Sequence, residues 1–321
     1  MKYQDEVQKK FEEYNELYFN KIPNGLYEPI VYAMASGGKY IRPLLMMYAA
    51  ELFDAKPQDV LLNAYGVELF HNFTLLHDDI MDNSEVRRGM PTVYKKFGLN
   101  AGILSGDLML IKSLRIASNL DGKTNSDLFD LVSETAVKIH EGQQMDVDFE
   151  EMSMVDEKSY IKMIEYKTAV LLACSLQMGA TIAGASYVDQ KRIYEFGRLI
   201  GIAFQIQDDY LDAFGDAKVG KRIGGDILNN KKTLLFISSM ALGTQKQQDE
   251  LLSFFKSKKA KEEEKIAAVK AIFIESGGKT YCIKKMEELH KAALESLASL
   301  KSKNSSMELI AIADMIIKRK S

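Results

Sequence analysis

Apolar residues recur at helical spacing, every three or four positions, along most of the chain. This periodicity predicts long helices over 61–81, 104–120, 128–150, 159–183 and 193–214. The alternation of apolar and polar positions that is typical of half-buried strands is nearly absent. Breaks are expected at Gly37-Gly38 and over 215–230, where glycines cluster. The pattern therefore predicts an all-α fold in a single domain, residues 1–321.

Two aspartate clusters lie within these helical stretches, and both have the pattern Asp-Asp-x-x-Asp. At 3.6 residues per turn, Asp78 and Asp82 share a helix face, as do Asp208 and Asp212. Like charges on one face beside a core are costly unless a cation neutralises them. Ligands that are all oxygen atoms favour a hard cation such as Mg²⁺, which often also binds substrate phosphates. We therefore expect two facing clusters that hold a metal-bound polyphosphate.

The composition restricts the classes of function and location. A formal net charge of −3 gives no electrostatic reason to expect a nucleic-acid partner. The two cysteines, Cys174 and Cys282, have no metal-ligand spacing and form no disulfide framework, which fits a reducing cytoplasm. The sequence has no apolar signal region, and no stretch approaches the length of a membrane span. We expect a cytoplasmic protein without an integral membrane segment.

Basic residues accompany the acids. An arginine pair, Arg87-Arg88, follows the first cluster, and Gly37-Gly38-Lys39-Tyr40-Ile41-Arg42-Pro43 precedes it. Guanidinium groups bind phosphate oxygens in a bidentate manner, whereas lysine acts as a point charge. One Asp-Asp-x-x-Asp motif alone more often marks an exposed acidic helix face, so the combination of motifs supports the hypothesis. Acids for metal and bases for phosphate together predict a site for diphosphates.

In these motifs the chain resembles the trans-prenyltransferases, the short-chain isoprenyl diphosphate synthases. The resemblance covers nearly all of the chain and includes, in the family's order, 37–43, 78–89, Lys167-Thr168 and 204–212. It implies an all-α bundle of long helices around a central cavity, the isoprenoid synthase type. It also implies a Mg²⁺-dependent enzyme that condenses isopentenyl diphosphate head to tail with dimethylallyl, geranyl or farnesyl diphosphate. Such enzymes form homodimers.

The resemblance implies specific roles for the acidic residues. Three Mg²⁺ ions, for which Mn²⁺ could substitute, would bind with the substrate. They would stabilise the charge that develops on the departing diphosphate. The implied metal ligands are Asp78, Asp82, Asp208, Asp209 and Asp212. The implied catalytic set is Asp78, Asp79, Asp82, Arg87, Lys167, Thr168, Gln205 and Asp208.

The resemblance also assigns residues to the two substrates. The isopentenyl diphosphate pocket would comprise Lys39, Arg42, His71 and Arg88. The allylic substrate would meet Arg87, Lys167, Lys231, Thr168, Phe204 and Gln205, with either Arg222 or Lys221. Gln143 and Asp146 match a further family motif, although an exposed helix face explains them equally well. The basic terminus 318–321 resembles a tail that closes over isopentenyl diphosphate, and a solvated tail is the alternative.

In this family, product length depends on a steric stop on the helix that precedes the first cluster. Thr74 lies on nearly the same face as Asp78, and Phe73 lies on the neighbouring flank. One aromatic residue beside a small one favours geranylgeranyl diphosphate (C20), with farnesyl diphosphate (C15) as the alternative. A long-chain product is not expected while Phe73 blocks the tunnel.

Three other hypotheses account for part of these features. A class I terpene cyclase shares the ionisation step and the helical fold, but it usually lacks the second aspartate cluster. A non-catalytic partner subunit of a heteromeric synthase usually loses one acidic cluster, whereas this chain keeps both. A purely structural bundle would leave the paired acids unexplained.

Overall fold

In a computed structural model, the chain is described over residues 2–215, 223–256, 261–302 and 304–318. Helices dominate these ranges, and two short antiparallel hairpins are the β-structure found there. The all-α prediction is therefore confirmed. By its internal contacts the chain divides into two compact units. Unit 1 comprises Met1–Thr135, Cys174–Lys191 and Lys301–Ser305, and unit 2 comprises Ala136–Ala173, Arg192–Leu300 and Ser306–Ser321. The single-domain expectation stays a prediction.

Most of the elements of unit 1 come from the first part of the chain. The helices are α1 (Gln4–Phe19), α2 (Asn24–Ala35), α3 (Ile41–Leu52), α4 (Leu61–Met81), α5 (Val93–Phe97) and α6 (Leu99–Ala117), with a 3₁₀ turn at Pro57–Val60. Strands β1 (Val86–Arg87) and β2 (Met90–Pro91) form one hairpin, and β3 (Asn119–Leu120) and β4 (Lys123–Thr124) form the other. Helix α4 has the predicted bounds. Helix α6 begins five residues before the predicted start and ends at the second hairpin.

Helix α4 is buried on most of its surface, because its apolar residues surround the helix rather than forming one stripe. Its buried polar side chains have hydrogen-bond partners. The Asn63 amide donates to the carbonyl oxygens of Ala117 and Asn119, each at 2.7 Å. The Tyr65 hydroxyl donates to Asn15 Oδ1 at 2.7 Å. These bonds fix the helix whose last turn carries the first aspartate cluster.

The remaining helices belong wholly or in part to unit 2. They are α7 (Ser126–Glu151), α8 (Glu157–Ile164), α9 (Val170–Ile182), α10 (Tyr187–Phe214), α11 (Gly225–Leu228), α12 (Leu234–Leu242), α13 (Gln245–Lys256), α14 (Glu262–Glu275), α15 (Gly278–Ala298) and α16 (Met307–Lys318). Helices α7, α9 and α10 are each divided between the two units. A π-helical turn, Glu165–Ala169, joins α8 to α9. The single helix predicted over 159–183 is therefore interrupted.

Two sequence expectations need correction. The segment 215–230 was expected to be a loop, but its described part contains the short helix α11. Charge composition favours a solvated helix surface for the lysine and glutamate run of 256–265, and residues 261–264 are exposed as expected. Lys265 is instead only 4% exposed, and its ammonium donates to Asn230 Oδ1 at 2.6 Å. Among the described residues, no helix combines the length and the apolar composition needed to cross a membrane.

Candidate active site

Each aspartate cluster lies at the C-terminal end of a long helix. Asp78 and Asp79 are in the last turn of α4, and Asp82 is its C-cap residue. The second cluster occupies the last two turns of α10. A helix C-terminus carries a partial negative charge, so carboxylates placed there are stabilised by a cation. Oxygen ligands at such positions suit Mg²⁺, so the donor set fits the metal that the resemblance implies.

In the first cluster, Asp79 is already paired. It is 4% exposed, and Arg87 Nε lies 2.8 Å from its Oδ1 and 2.9 Å from its Oδ2. The β1–β2 hairpin places this arginine, since Arg88 and Gly89 form its turn with φ values of 52° and 79°. Two successive positive φ values are typical of a type I′ turn, which matches the twist of short hairpins. Asp79 is therefore neutralised by protein.

The structure brings together most of the residues assigned to isopentenyl diphosphate. Burial lowers the pKa of His71 well below its usual range, and the charges of Arg42, Arg88 and Arg87 lower it further. A neutral imidazole among arginines can donate a hydrogen bond to an anion. The Arg88 guanidinium lies against Gly38 and donates to Ser36 Oγ at 3.3 Å.

Arg42 also has the properties expected of an anion ligand. Burial lowers its pKa to about 10, and the nearby Glu68 carboxylate opposes that shift. Its Nε atom is buried and has no hydrogen-bond partner in the described part of the chain. A buried, unpaired donor is rare in proteins and suggests an external acceptor. Lys39 is exposed in the segment between α2 and α3.

The two chain-length residues differ in environment. Phe73 is 3% exposed, and its ring packs edge-on against Phe70 and His77, with centroid distances of 5.5 and 4.9 Å. Thr74 is half-buried, and its hydroxyl donates to the His71 carbonyl at 2.8 Å. The aromatic residue is thus fixed on the α4 surface one turn before the cluster.

In unit 2, a cavity of about 220 Å³ collects seven of the predicted residues. They are Asp208, Asp209 and Asp212 with Lys167, Thr168, Gln205 and Lys231. Phe204 was also assigned to the allylic substrate, but it does not line this cavity. Arg222 and Lys221 lie outside the described residues, as does 319–321 of the basic terminus.

A chain of hydrogen bonds crosses the cavity wall. Thr168 Oγ1 donates to Gln205 Oε1 at 3.0 Å, and Gln205 Nε2 donates to Asp209 Oδ1 at 2.9 Å. The hydroxyl of the buried Tyr160 donates to Asp209 Oδ2 at 2.6 Å. Burial and the charge of Asp226 raise the pKa of Asp209 to about 8, against these two hydrogen bonds and Lys231. The hydrogen bonds to Thr168 and Asp209 fix the orientation of the Gln205 amide.

Lys167 lies in the π turn and donates to Asp146 Oδ2 at 2.6 Å. Single π turns inside helices often mark functional sites. Asp146 lines the cavity, so the exposed-face interpretation is wrong for this residue. Gln143, the other residue of that motif, does not line the cavity.

Among the residues of this cavity that were not predicted, Tyr160 and Asp226 contact the second cluster directly. Asp226 lies at the start of α11, and its backbone N–H donates to Asp212 Oδ2 at 2.9 Å. The only signal for it was its place after two glycines, and Tyr160 had no local signal. Within the described ranges, no three acidic, histidine or cysteine side chains already form a metal-binding group. Mg²⁺ bound largely by phosphate and water oxygens does not need one.

Comparison with known proteins identifies the family. A family model described as polyprenyl synthetase matches residues 23–272. The chain belongs to the polyprenyl synthetase family. Geranylgeranyl diphosphate synthases of Sulfolobus acidocaldarius and Methanosarcina mazei are 35% and 38% identical to it. The first alignment covers 91% of this chain and 94% of the relative, and the second covers 92% and 90%.

A crystal structure of a geranylgeranyl pyrophosphate synthase matches this polyprenyl synthetase with a TM-score of 0.92 at 41% identity. The match covers 99% of each chain. These findings confirm the predicted trans-isoprenyl diphosphate synthase family and the predicted class of enzyme, a prenyltransferase. They also agree with the isoprenoid synthase fold.

Proposed function

We propose that the protein is a Mg²⁺-dependent geranylgeranyl diphosphate synthase of the cytoplasm. It adds isopentenyl diphosphate head to tail to an allylic primer, which is dimethylallyl, geranyl or farnesyl diphosphate. The observation that carries this proposal is the unit 2 cavity, where the three aspartates of the second cluster lie with Lys167, Lys231 and the Thr168–Gln205 pair. The names of the two curated relatives support the C20 product.

The acids and bases have separate tasks on the allylic diphosphate. Asp78, Asp82, Asp208, Asp209 and Asp212 hold Mg²⁺, and Mn²⁺ can replace it. When bound, the metal supplies Lewis-acid stabilisation of the leaving diphosphate. Lys167 and Lys231 bind the diphosphate oxygens, with Arg87 and one of Lys221 and Arg222 as further contacts. Because Asp79 is already paired with Arg87, it positions that arginine rather than binding metal.

The Thr168–Gln205 pair acts on the carbon that becomes positive. When the allylic C–O bond breaks, oxygen dipoles held in a fixed orientation stabilise the cation without forming a bond to it. The hydrogen bond from Gln205 to Asp209 holds that orientation. The double bond of isopentenyl diphosphate then forms the new C–C bond, and the proton lost passes to the released diphosphate.

Arg42, His71 and Arg88 bind the diphosphate of isopentenyl diphosphate, with Lys39 at the edge. The unpaired Nε of Arg42 and the neutral state of His71 support this assignment. Phe73 stops the growing chain at C20, which its rigid packing supports. A C15 product would place the stop one unit earlier.

A homodimer and a cytoplasmic location complete the proposal. On the surface of α6, Ile103, Leu104 and Ile111 are 41%, 59% and 59% exposed. Leu104 and Ile111 lie two turns apart on one face, and an apolar face of this kind is suited to a partner subunit. Cys174 and Cys282 are both buried and are not joined in a disulfide, which agrees with a reducing compartment.

The proposed site can be tested by binding inorganic pyrophosphate to the purified protein. We expect pyrophosphate and Mg²⁺ together, but neither alone, to raise the melting temperature. Asp208→Asn should abolish this shift, since Mg²⁺ loses a ligand. Asp148→Asn is the matched control, because Asp148 is exposed on α7 outside the cavity. Equal shifts in the wild type and Asp208→Asn would contradict the proposed site.

A further inference from the structure

The π turn carries two successive residues of the cavity, Lys167 and Thr168. Each residue meets a different helix. Lys167 binds Asp146 on α7, and Thr168 binds Gln205 on α10. The two distances, 2.6 and 3.0 Å, depend on how closely those helices approach the turn.

A glycine lies at each point of approach. A Cβ atom on Gly142 of α7 would be 2.3 Å from Lys167 N and 2.8 Å from Tyr166 C. A Cβ atom on Gly201 of α10 would be 2.5 Å from Ala169 Cα and 2.6 Å from Ala169 Cβ. Non-bonded atoms do not approach so closely, so only glycine fits at either position. Glycine destabilises a helix interior, so at both positions the close approach is kept at a cost in helix stability.

Each glycine also lies one helical turn before the polar residue that contacts the π turn. Gly142 precedes Asp146 by four residues, and Gly201 precedes Gln205 by four. Residues four apart share a helix face, so each helix presents a glycine and then a polar group to the same turn. The two contacts therefore have the same construction, one on α7 and one on α10.

We propose that Gly142 and Gly201 are positioning residues for prenyl transfer. By bringing α7 and α10 against the π turn, they set the distances from Asp146 to Lys167 and from Gln205 to Thr168. This inference rests on the proposed function and adds a requirement to it. The glycines contact no substrate and act through the two polar pairs.

A Cβ atom at either position would displace the turn by about 1 Å, and a misplacement of that size can reduce turnover on the order of 100-fold. Gly201→Ala should lower kcat about 10-fold to 100-fold, since it moves the Thr168–Gln205 pair beside the cation. Gly142→Ala should raise KM for the allylic substrate and weaken Mg²⁺–pyrophosphate binding about tenfold, since it moves Lys167. KM for isopentenyl diphosphate should stay unchanged in both.

Gly179→Ala is the matched control. A Cβ atom on Gly179 would lie 2.2 Å from the Met46 carbonyl oxygen, an equally tight contact that involves no residue of the cavity. We expect it to lower the melting temperature as much as the other two variants while kcat and both KM values remain unchanged. Similar kinetic changes in all three variants would show a general packing effect and overturn the inference. Wild-type constants in Gly142→Ala and Gly201→Ala would also overturn it.

A second variant covers the case in which Gly201→Ala does not fold. Adding Ala169→Gly removes one of the two close atoms, the Ala169 Cβ, so the double variant should fold. The close contact with Ala169 Cα remains, so we expect a kcat that is measurable but below that of the wild type. A double variant with wild-type kcat would overturn the inference. If the wild type makes no prenyl product in the same assay, the proposed function fails. If the wild type is active and the variants match it, the inference alone fails.

Discussion

The guanidinium of Arg87 binds both carboxylate oxygens of Asp79, and its Nη2 atom lies 2.7 Å from Asp79 Oδ1. The first aspartate cluster therefore has one acid that is neutralised by protein. The pair also connects α4 to the β1–β2 hairpin, whose turn contains Arg88. One interaction thus fixes both an acidic cluster and the arginine proposed to bind isopentenyl diphosphate.

Arg87→Ala should lower the free energy of unfolding by about 2 kcal/mol, because it leaves the buried Asp79 carboxylate unpaired. The arginine side chain is 35% exposed, so solvent screening reduces the loss below that of a fully buried pair. Urea denaturation measures the effect. Arg115→Ala, at an exposed position on α6, is the control and should change stability little. Equal losses in the two variants would refute a structural role for the pair.

Tyr160→Phe should weaken Mg²⁺-dependent pyrophosphate binding about tenfold, since losing a hydrogen bond that orients a metal-binding carboxylate typically lowers metal affinity by that factor or more. The variant removes the hydrogen bond to Asp209 and keeps the aromatic ring. Tyr281→Phe is its counterpart, because the Tyr281 hydroxyl donates to Glu157 Oε2 at 2.7 Å outside the cavity. Calorimetry should find unchanged pyrophosphate affinity in Tyr281→Phe. An unchanged affinity in Tyr160→Phe would contradict the role of Asp209 at the metal site.

Neighbouring lysines should differ in function. Lys232 donates to the Glu150 carbonyl at 2.8 Å near the end of α7, where a cation stabilises the helix. Lys232→Ala should therefore cost about 1 kcal/mol of stability and leave KM for the allylic substrate unchanged. Lys231→Ala should raise that KM about tenfold through the loss of a charged phosphate contact. Steady-state kinetics and urea denaturation of both variants measure these effects. A raised KM in Lys232→Ala with an unchanged KM in Lys231→Ala would contradict the assignment.

Phe73→Ala should extend the product beyond C20, since it removes the ring proposed to stop the growing chain. It should also cost about 3 kcal/mol of stability, because a buried aromatic side chain is lost. Chromatography of the dephosphorylated products gives the chain length. A variant that is active but still ends at C20 would show that the stop lies elsewhere.

Sequence reasoning located the long helices and the chemistry, because both leave local patterns. The bounds of α4 and the placement of Lys167, Thr168 and Gln205 in one cavity with the second cluster agree with it. Apolar periodicity extends through the π turn without a visible break, so that turn was not predicted. Contacts between distant positions were also missed. Tyr160 is 49 residues from Asp209, and only the packing of α8 against α10 brings them together.

Burial of polar groups was a second limit. Lys265 lies in a charged run, and its neighbours Lys261 and Glu264 are exposed, yet its own stem is enclosed and its ammonium reaches Asn230. Asp146 matched a motif as well as it matched an exposed helix face, and its contact with Lys167 and its place in the cavity separate the two interpretations. Composition alone does not indicate which charged side chain of a helix faces inward.

The central claim is best tested by sizing the products of the wild-type protein. Purified protein would be incubated with Mg²⁺, labelled isopentenyl diphosphate and, separately, dimethylallyl, geranyl or farnesyl diphosphate, and the products would be dephosphorylated and chromatographed. We predict a prenyl alcohol that ends at C20 with at least one primer, and no product when Mg²⁺ is chelated. A C15 end point would retain the synthase and contradict the proposed stop. No elongation with any primer would contradict the proposed synthase activity itself.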